Sequence, residues 1–115
     1  MDVYGGILSP YVARVVLTAR HKGIKHKLKM PEGGLKSPAY LALNPLGKMP
    51  ALKDGATVLY ESAVIVDYLD AKFKKKRIVP AAAKDAAKAR LLATVFAEYV
   101  QAPTMVLLRQ RNPAT

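Results

Sequence analysis

The sequence contains no cysteine and no tryptophan, and its 115 residues include only 8 acidic side chains against 19 lysines and arginines. Without cysteine, the chain cannot form disulfides, thiolate metal sites or a redox centre from its own sulfur. No uninterrupted apolar run approaches the roughly 18 residues of a membrane span. The N-terminus also lacks the basic-then-apolar order of a secretory signal. We therefore expect a cytoplasmic protein with no membrane partner.

The formal net charge of +11 suggests a polyanionic partner, but the positive charge is unevenly distributed. Cations concentrate in residues 20–29 and 72–90, and the second stretch includes the run Lys74-Lys75-Lys76-Arg77. This run could bind a polyanion or act as a nuclear-localisation-like signal, although such runs usually serve as solvated, helix-terminating segments. No aromatic side chains interleave with it to stack bases. We therefore expect nucleic acid to be an unlikely primary partner.

Hydrophobic residues make up 51% of the chain, enough for a packed core, and their periodicity predicts alternating strands and helices. A short strand ends at Gly5-Gly6, and Ser9-Pro10 then starts a helix that Lys22-Gly23 ends. Residues 25–30 alternate lysine with other side chains, a pattern typical of a protected edge strand. The order continues as a short helix over 37–43, a hairpin around Asp54-Gly55 and a helix capped by Ser62. An alanine-rich helix follows over about 81–101.

The α/β order β-α-β-α-β-β-α, together with four motifs, resembles the N-terminal thioredoxin-like domain of the cytosolic glutathione transferases. The motifs are Leu8-Ser9-Pro10-Tyr11-Val12-Ala13-Arg14-Val15, Leu35-Lys36-Ser37-Pro38, Asn44-Pro45-Leu46-Gly47-Lys48-Met49-Pro50-Ala51-Leu52 and Leu59-Tyr60-Glu61-Ser62-Ala63-Val64-Ile65. They lie in continuous register over about residues 1–73 and look most like the serine-type tau, phi and bacterial members. The resemblance implies a four-stranded mixed sheet in a glutathione-binding domain over 1–77. Residues 78–115 would then form the first part of an incomplete all-α domain.

The resemblance also implies a glutathione site. Ser9 would donate a hydrogen bond to the glutathione sulfur and favour the thiolate, and the competing interpretation is that it only caps its own helix. Lys36 and Lys48 match positions that reach the glycyl carboxylate, and Met49, before a cis Pro50, would pair with the peptide backbone. Glu61 and Ser62 would hold the γ-glutamyl end at a helix N-terminus. Without the resemblance, Ser62 would be interpreted as an ordinary helix cap, and Arg14 as part of a helix-surface ion pair.

These expectations identify a detoxifying transferase that uses glutathione as co-substrate, needs no metal and attacks an electrophilic small molecule. The alternative is a non-catalytic glutathione-binding or assembly module, because most of the helical domain that builds the acceptor pocket is missing. The apolar stripe Leu92, Val95, Phe96 and Tyr99 requires a covering surface. We expect a second copy of the chain or a separate partner to supply it, and of these we favour the second copy, which would make the protein a homo-oligomer.

Overall fold

The computed structural model describes residues 1–111 and divides the chain into two compact units, residues 1–78 and 79–115. The first unit runs β1 (Asp2–Tyr4), α1 (Pro10–His21), β2 (Lys27–Lys29), α2 (Pro38–Leu43), β3 (Ala51–Asp54), β4 (Thr57–Tyr60) and α3 (Ser62–Lys72). Its four strands form one sheet in the order β2-β1-β3-β4. β1 pairs with β2 in parallel and with β3 antiparallel, and β4 pairs antiparallel with β3. The predicted α/β order and the mixed four-stranded sheet are confirmed.

The first two helices begin at serine–proline pairs, as the sequence predicts. The Ser9 hydroxyl accepts a hydrogen bond from the Val12 amide at 3.4 Å, and the Ser37 hydroxyl accepts one from the Tyr40 amide at 3.2 Å. In each helix the following proline occupies the first turn, where no amide hydrogen is needed. These local signals fix where each helix starts relative to the strand before it.

The core of the first unit lies between the central strands and the helices α1 and α3. Its buried side chains come from β1, α1, β3 and α3 and from Ile24 in the loop after α1. They are Val3, Val15, Ala19, Ile24, Leu52, Ile65 and Leu69. Burial of each of the larger side chains contributes about 1.5–3 kcal/mol, so this cluster is the main source of stability of the unit.

The start of α3 differs from the prediction that Ser62 is its cap. The capping position is Glu61, which adopts a left-handed φ of 72° and makes no side-chain cap hydrogen bond. Ser62 is the first helical residue and is buried. A positive φ at a residue other than glycine is uncommon and is found most often where the surrounding structure imposes it, frequently at functional sites.

The second unit contains one long helix in place of the predicted helix over about 81–101. It consists of α4 (Ala83–Phe96), a π-helical turn (Ala97–Gln101) and α5 (Ala102–Arg111). Pro103 lacks the amide hydrogen that would bond the Tyr99 carbonyl, which explains a local change of hydrogen-bond pattern here. The last four residues of the predicted helical segment, 112–115, lie outside the described residues. The predicted apolar stripe is solvent-exposed at Leu92, Val95, Phe96 and Tyr99.

This long helix also tests the expectation about membrane spans. Ala83–Arg111 is long and apolar enough to cross a membrane by length and composition, with a mean hydropathy of 1.5 in its 18-residue window. The sequence has no uninterrupted apolar run here, because Glu98 and Gln101 interrupt it, so the two criteria select different segments. Length and composition alone are weak evidence, since helices of soluble proteins satisfy the same criteria.

Candidate functional site

The predicted site residues lie beside the ends of three strands, at the same end of the sheet. Tyr4, the last residue of β1, pairs with Ala51, the first residue of β3, and Ala51 pairs with Tyr60, the last residue of β4. The segment after β1, the segment before β3 and the segment after β4 therefore all adjoin this end of the sheet. These segments carry Ser9, the Met49–Pro50 pair and the Glu61–Ser62 pair.

The loop after β1 packs directly against Met49. The Gly6 amide lies 3.4 Å from the Met49 sulfur and donates to it, and the Ser9 amide donates to the Gly6 carbonyl at 3.0 Å. Gly5 has a φ of +145°, and a Cβ there would lie 2.5 Å from the Val12 side chain and 3.1 Å from the Met49 Cβ. Only glycine permits this approach. The peptide bond between Met49 and Pro50 is cis, as expected from the resemblance.

The Ser9 side chain is buried at the N-terminus of α1 and caps this helix. A hydroxyl has one donor hydrogen and two acceptor lone pairs, so accepting from the Val12 amide leaves the hydrogen available. Capping and donation to a ligand are therefore compatible at Ser9, rather than alternatives.

The Ser62 hydroxyl is contacted by a residue that the sequence analysis assigned elsewhere. Arg14 Nη1 lies 3.1 Å from Ser62 Oγ and donates to it, linking α1 to the first turn of α3. The expectation of a helix-surface ion pair for Arg14 is wrong, because its partner among residues 1–111 is this serine. A guanidinium, a serine hydroxyl and the amide end of an 11-residue helix thus meet at one place. This combination suits a carboxylate.

The two predicted lysines flank a single turn. Lys36 Nζ donates to the Leu46 carbonyl at 3.3 Å and lies over Gly47, where a Cβ would be only 2.6 Å from that nitrogen. Lys48 has an exposed side chain, but its carbonyl is held by the Tyr40 hydroxyl at 2.6 Å and the Asn44 amide at 2.7 Å. The Lys48 backbone is therefore fixed while its ammonium group faces solvent.

Tyr40 and Asn44 were not identified from the sequence as site-supporting residues. Asn44 is 2% exposed, and its carbonyl oxygen also accepts from the Leu46 amide at 3.0 Å, so one side chain folds the whole turn. Burial raises the pKa of Tyr40 above its ordinary value, although the neighbouring Asn44 partly opposes this effect. The sequence analysis included Asn44 in a motif without giving it a role, whereas asparagine's tendency to bond the backbone two residues ahead could have indicated this one.

The structure therefore places Ser9, Met49 and Pro50 in one packed group and Ser62 with Arg14 in another at the same sheet edge. Glu61 is exposed beside Ser62, and Lys36 is exposed beside the turn that leads to Lys48. Among residues 1–111, no three histidine or acidic side chains come together as a metal-binding group. The roles of these residues toward a ligand remain predictions.

Comparison with known proteins identifies the relatives of this site. The family profile described as "Glutathione S-transferase, N-terminal domain" matches residues 3–77. The maize (Zea mays) protein named Glutathione S-transferase 3 is 38% identical over 91 residues, which cover 75% of this chain and 41% of that protein. A Coxiella burnetii protein named Stringent starvation protein A homolog is 32% identical over 92 residues, covering 80% of this chain and 43% of that protein.

Solved structures agree with this picture. The theta class glutathione S-transferase from Xanthomonas axonopodis pv. citri, solved with glutathione bound, superimposes with a TM-score of 0.80 at 31% identity. The match covers 88% of this chain and 50% of that one. Poplar glutathione transferase F1 gives a TM-score of 0.81 at 28% identity, covering 92% of this chain and 52% of the poplar chain. The fold is thus thioredoxin-like, with a partial helical segment, and the chain spans about half the length of these relatives or less.

Proposed function

Because the chain belongs to the glutathione S-transferase family, we propose that it binds glutathione and activates its thiolate for attack on an electrophilic small molecule. The observation that carries this proposal is the hydrogen bond from Arg14 to Ser62 at the N-terminus of α3. A buried helix end supplied with a guanidinium and a hydroxyl forms a site for an anion of the size of a carboxylate. The α-carboxylate of the γ-glutamyl group is such an anion.

The other end of glutathione would lie along the turn at residues 46–50. Within residues 1–111, the Met49 amide and carbonyl form no hydrogen bond to another backbone group. They could pair with the cysteinyl backbone of glutathione in the manner of an added strand. The ammonium groups of Lys36 and Lys48 would then serve the glycyl carboxylate as mobile point charges. Glu61 would accept from the γ-glutamyl ammonium group.

Catalysis requires the glutathione sulfur to lie near Ser9. The hydroxyl hydrogen that capping leaves available would bond the sulfur, and the positive end of α1 would favour the thiolate. The thiol loses its proton to solvent, the thiolate forms a carbon–sulfur bond with the electrophile, and the leaving group departs with its electron pair. Ile7 and Leu8, which precede Ser9, are 46% and 96% exposed and offer an apolar surface to the electrophile.

Calorimetric titration of the full chain with glutathione tests the proposed site. Ser62→Ala removes the hydroxyl that Arg14 contacts, and we expect the affinity to fall about tenfold to a hundredfold, the effect of one hydrogen bond to a charged group. Thr57→Ala is the matched control, because this exposed hydroxyl lies at the other end of β4. Absence of saturable binding at millimolar glutathione, or equal weakening in both variants, would contradict the proposal.

Turnover of an aryl halide tests the role of Ser9. We expect Ser9→Ala to lower the turnover number by about tenfold to a hundredfold while glutathione affinity changes little, because its hydrogen bond strengthens as thiolate charge develops. Helix capping is lost as well, so thermal melting of the same variant separates reduced stability from reduced catalysis. Glutathione binding by the wild type without any turnover would instead support the alternative, a non-catalytic module. The relatives named as transferases favour the enzyme.

We further propose that the protein is a cytoplasmic homo-oligomer in which the long helix packs against that of a second copy. Leu92, Phe96 and Tyr99 are 72%, 56% and 77% exposed, and apolar side chains of this size are normally buried. Light scattering coupled to size-exclusion chromatography at micromolar concentration measures the mass directly. A monomer under these conditions would rule out this assembly.

A further inference from the structure

We propose that a second surface, built from residues other than those of the glutathione site, binds the phosphate backbone of duplex nucleic acid. This surface, the basic clamp, consists of Arg20 at the end of α1 and the segment Lys74–Arg77 after α3. Arg20, Lys74, Lys75, Lys76 and Arg77 are all exposed. The contacts between the two segments show why the charges belong to one surface.

A buried ion pair joins the two segments. Lys22 is the residue directly after α1. Its Nζ lies 2.8 Å from Oδ1 of Asp70, near the end of α3, and both side chains are at most 1% exposed. The Lys22 ammonium also donates to the carbonyls of Lys75 and Lys76 at 2.9 and 3.4 Å. These two carbonyls therefore face the interior, at the end of α1.

Asp70 also holds the end of the basic segment in place. One of its oxygens accepts from the Ile78 amide at 2.8 Å, and the other accepts from Arg77 Nε at 3.1 Å. Lys76 adopts a left-handed φ of 52°, which turns the chain tightly at this point. The basic segment is thus held at several successive residues rather than extending freely into solvent.

This arrangement differs from a solubilising charge run. Burying an ion pair carries a large desolvation cost, which attraction and further hydrogen bonds must offset. A run that serves only to stay hydrated does not require such a pair beneath it. Holding the cations in place removes conformational entropy before a partner arrives, which favours binding. The carboxylate of Asp70 is already engaged by Lys22 and Arg77, and Lys74, Lys75 and Lys76 form no ion pair within residues 1–111.

The chemistry of the basic clamp selects the partner. Phe73, the aromatic residue next to the basic segment, is partly buried against the core cluster, so an unpaired base would gain little from stacking here. A fixed group of cations instead suits the regular, dense phosphates of a duplex, where binding is driven by counterion release. The sequence alone indicated a possible polyanion site at Lys74–Arg77 but could not include Arg20, because more than half of the unit separates the two segments.

Fluorescence anisotropy of a labelled DNA duplex of about 20 base pairs, titrated with the full chain, tests the proposal. Because no glutathione is present, the result is independent of the proposed transferase activity. Between about 50 and 200 mM NaCl we expect log K to fall with log salt with a slope of about −4, for four to five contacts. The variant K74Q/K75Q should lose about tenfold or more in affinity at about 0.1 M salt, with a slope shallower by about 2. The control K84Q/K88Q removes the same charge from exposed positions on α4 and should change affinity less than about twofold.

Equal losses in the two variants would overturn the proposal, because they would show attraction to net charge alone. A salt slope shallower than about −2 would also overturn it. So would tighter binding of a single strand of the same length, or of polyglutamate, since each would identify a different partner chemistry. Both variants replace exposed lysines and leave Lys22 and Asp70 intact, so the fold is maintained and each outcome is decisive.

Discussion

At the scale of single residues, Arg14 has the largest consequence for the proposed ligand site. Its guanidinium reaches from α1 to the Ser62 hydroxyl at 3.1 Å, so it both orients that hydroxyl and supplies positive charge beside it. Ser62 was predicted as a site residue from the sequence, but the arginine that contacts it was not. Arg14 and Ser62 are 48 positions apart and lie on different helices. The spacing of residues within one helix therefore cannot predict this contact.

We expect Arg14→Gln to weaken glutathione binding by about tenfold or more, because a hydrogen-bonded charge beside a carboxylate is replaced by a neutral amide. Arg20→Gln is the matched control, since Arg20 lies on the same helix, is exposed and has no contact with Ser62. Calorimetric titration of both variants measures the difference. An unchanged affinity for Arg14→Gln would show that the arginine serves only to connect the two helices.

At the scale of elements, the β3–β4 hairpin is attached to α3 by a small polar cluster. The Tyr68 hydroxyl donates to Asp54 at 2.6 Å, and Lys72 forms an ion pair with the same carboxylate. The Lys72 ammonium also lies 5.7 Å from the centre of the Tyr68 ring. Lys72 foremost, and then Tyr68, hold the pKa of Asp54 below its ordinary value of 3.8.

This cluster makes the stability of the unit depend on pH in the acidic range. Because the pKa of Asp54 is lower in the folded state, its stabilising effect is complete above about pH 4 and disappears as the pH falls through the folded-state pKa. We expect Asp54→Asn to reduce the loss of melting temperature between about pH 5 and pH 2.5. Glu32→Gln, which alters an exposed carboxyl outside this cluster, is the control. Parallel melting curves for wild type and Asp54→Asn would contradict the assignment.

The elements of the first unit were largely predictable because their signals are local. Serine–proline pairs start α1 and α2, and Asp54-Gly55 marks the hairpin, where Gly55 takes a φ of +60°. The long helix was predicted too short because its pattern of apolar residues continues across Pro103. A proline within a helix usually ends or kinks it, whereas here the helix continues through a π-helical turn and across Pro103 to Arg111.

At the scale of the whole molecule, the Lys22–Asp70 pair is a buried charged contact that ties α1 to the end of the first unit. Neither residue was identified from the sequence, because a lysine after a helix and an aspartate within one are usually exposed. Their burial follows from the packing of α1 against α3, which depends on the complete fold. The pair also contacts the backbone of Lys75, Lys76 and Ile78, so it fixes the end of the unit.

We expect Asp70→Asn to destabilise the protein by about 3–5 kcal/mol, because it leaves the buried Lys22 ammonium without its countercharge. For a unit of this size, total stability is about 4–12 kcal/mol, so the variant would lose a large fraction of it. Asp85→Asn, on an exposed position in the first turn of α4, provides the control. Urea denaturation of each variant gives the free energies. A loss below about 1 kcal/mol for Asp70→Asn would show that water reaches the lysine and replaces the carboxylate.

Every residue proposed to contact glutathione lies between Ser9 and Ser62, within the unit formed by residues 1–78. The proposed recognition of glutathione would therefore depend on one continuous stretch of the protein sequence. Recombination near the codon for residue 78 would exchange the second unit and preserve every proposed glutathione contact. In such an arrangement, new electrophile specificities can arise without rebuilding the thiol-binding half.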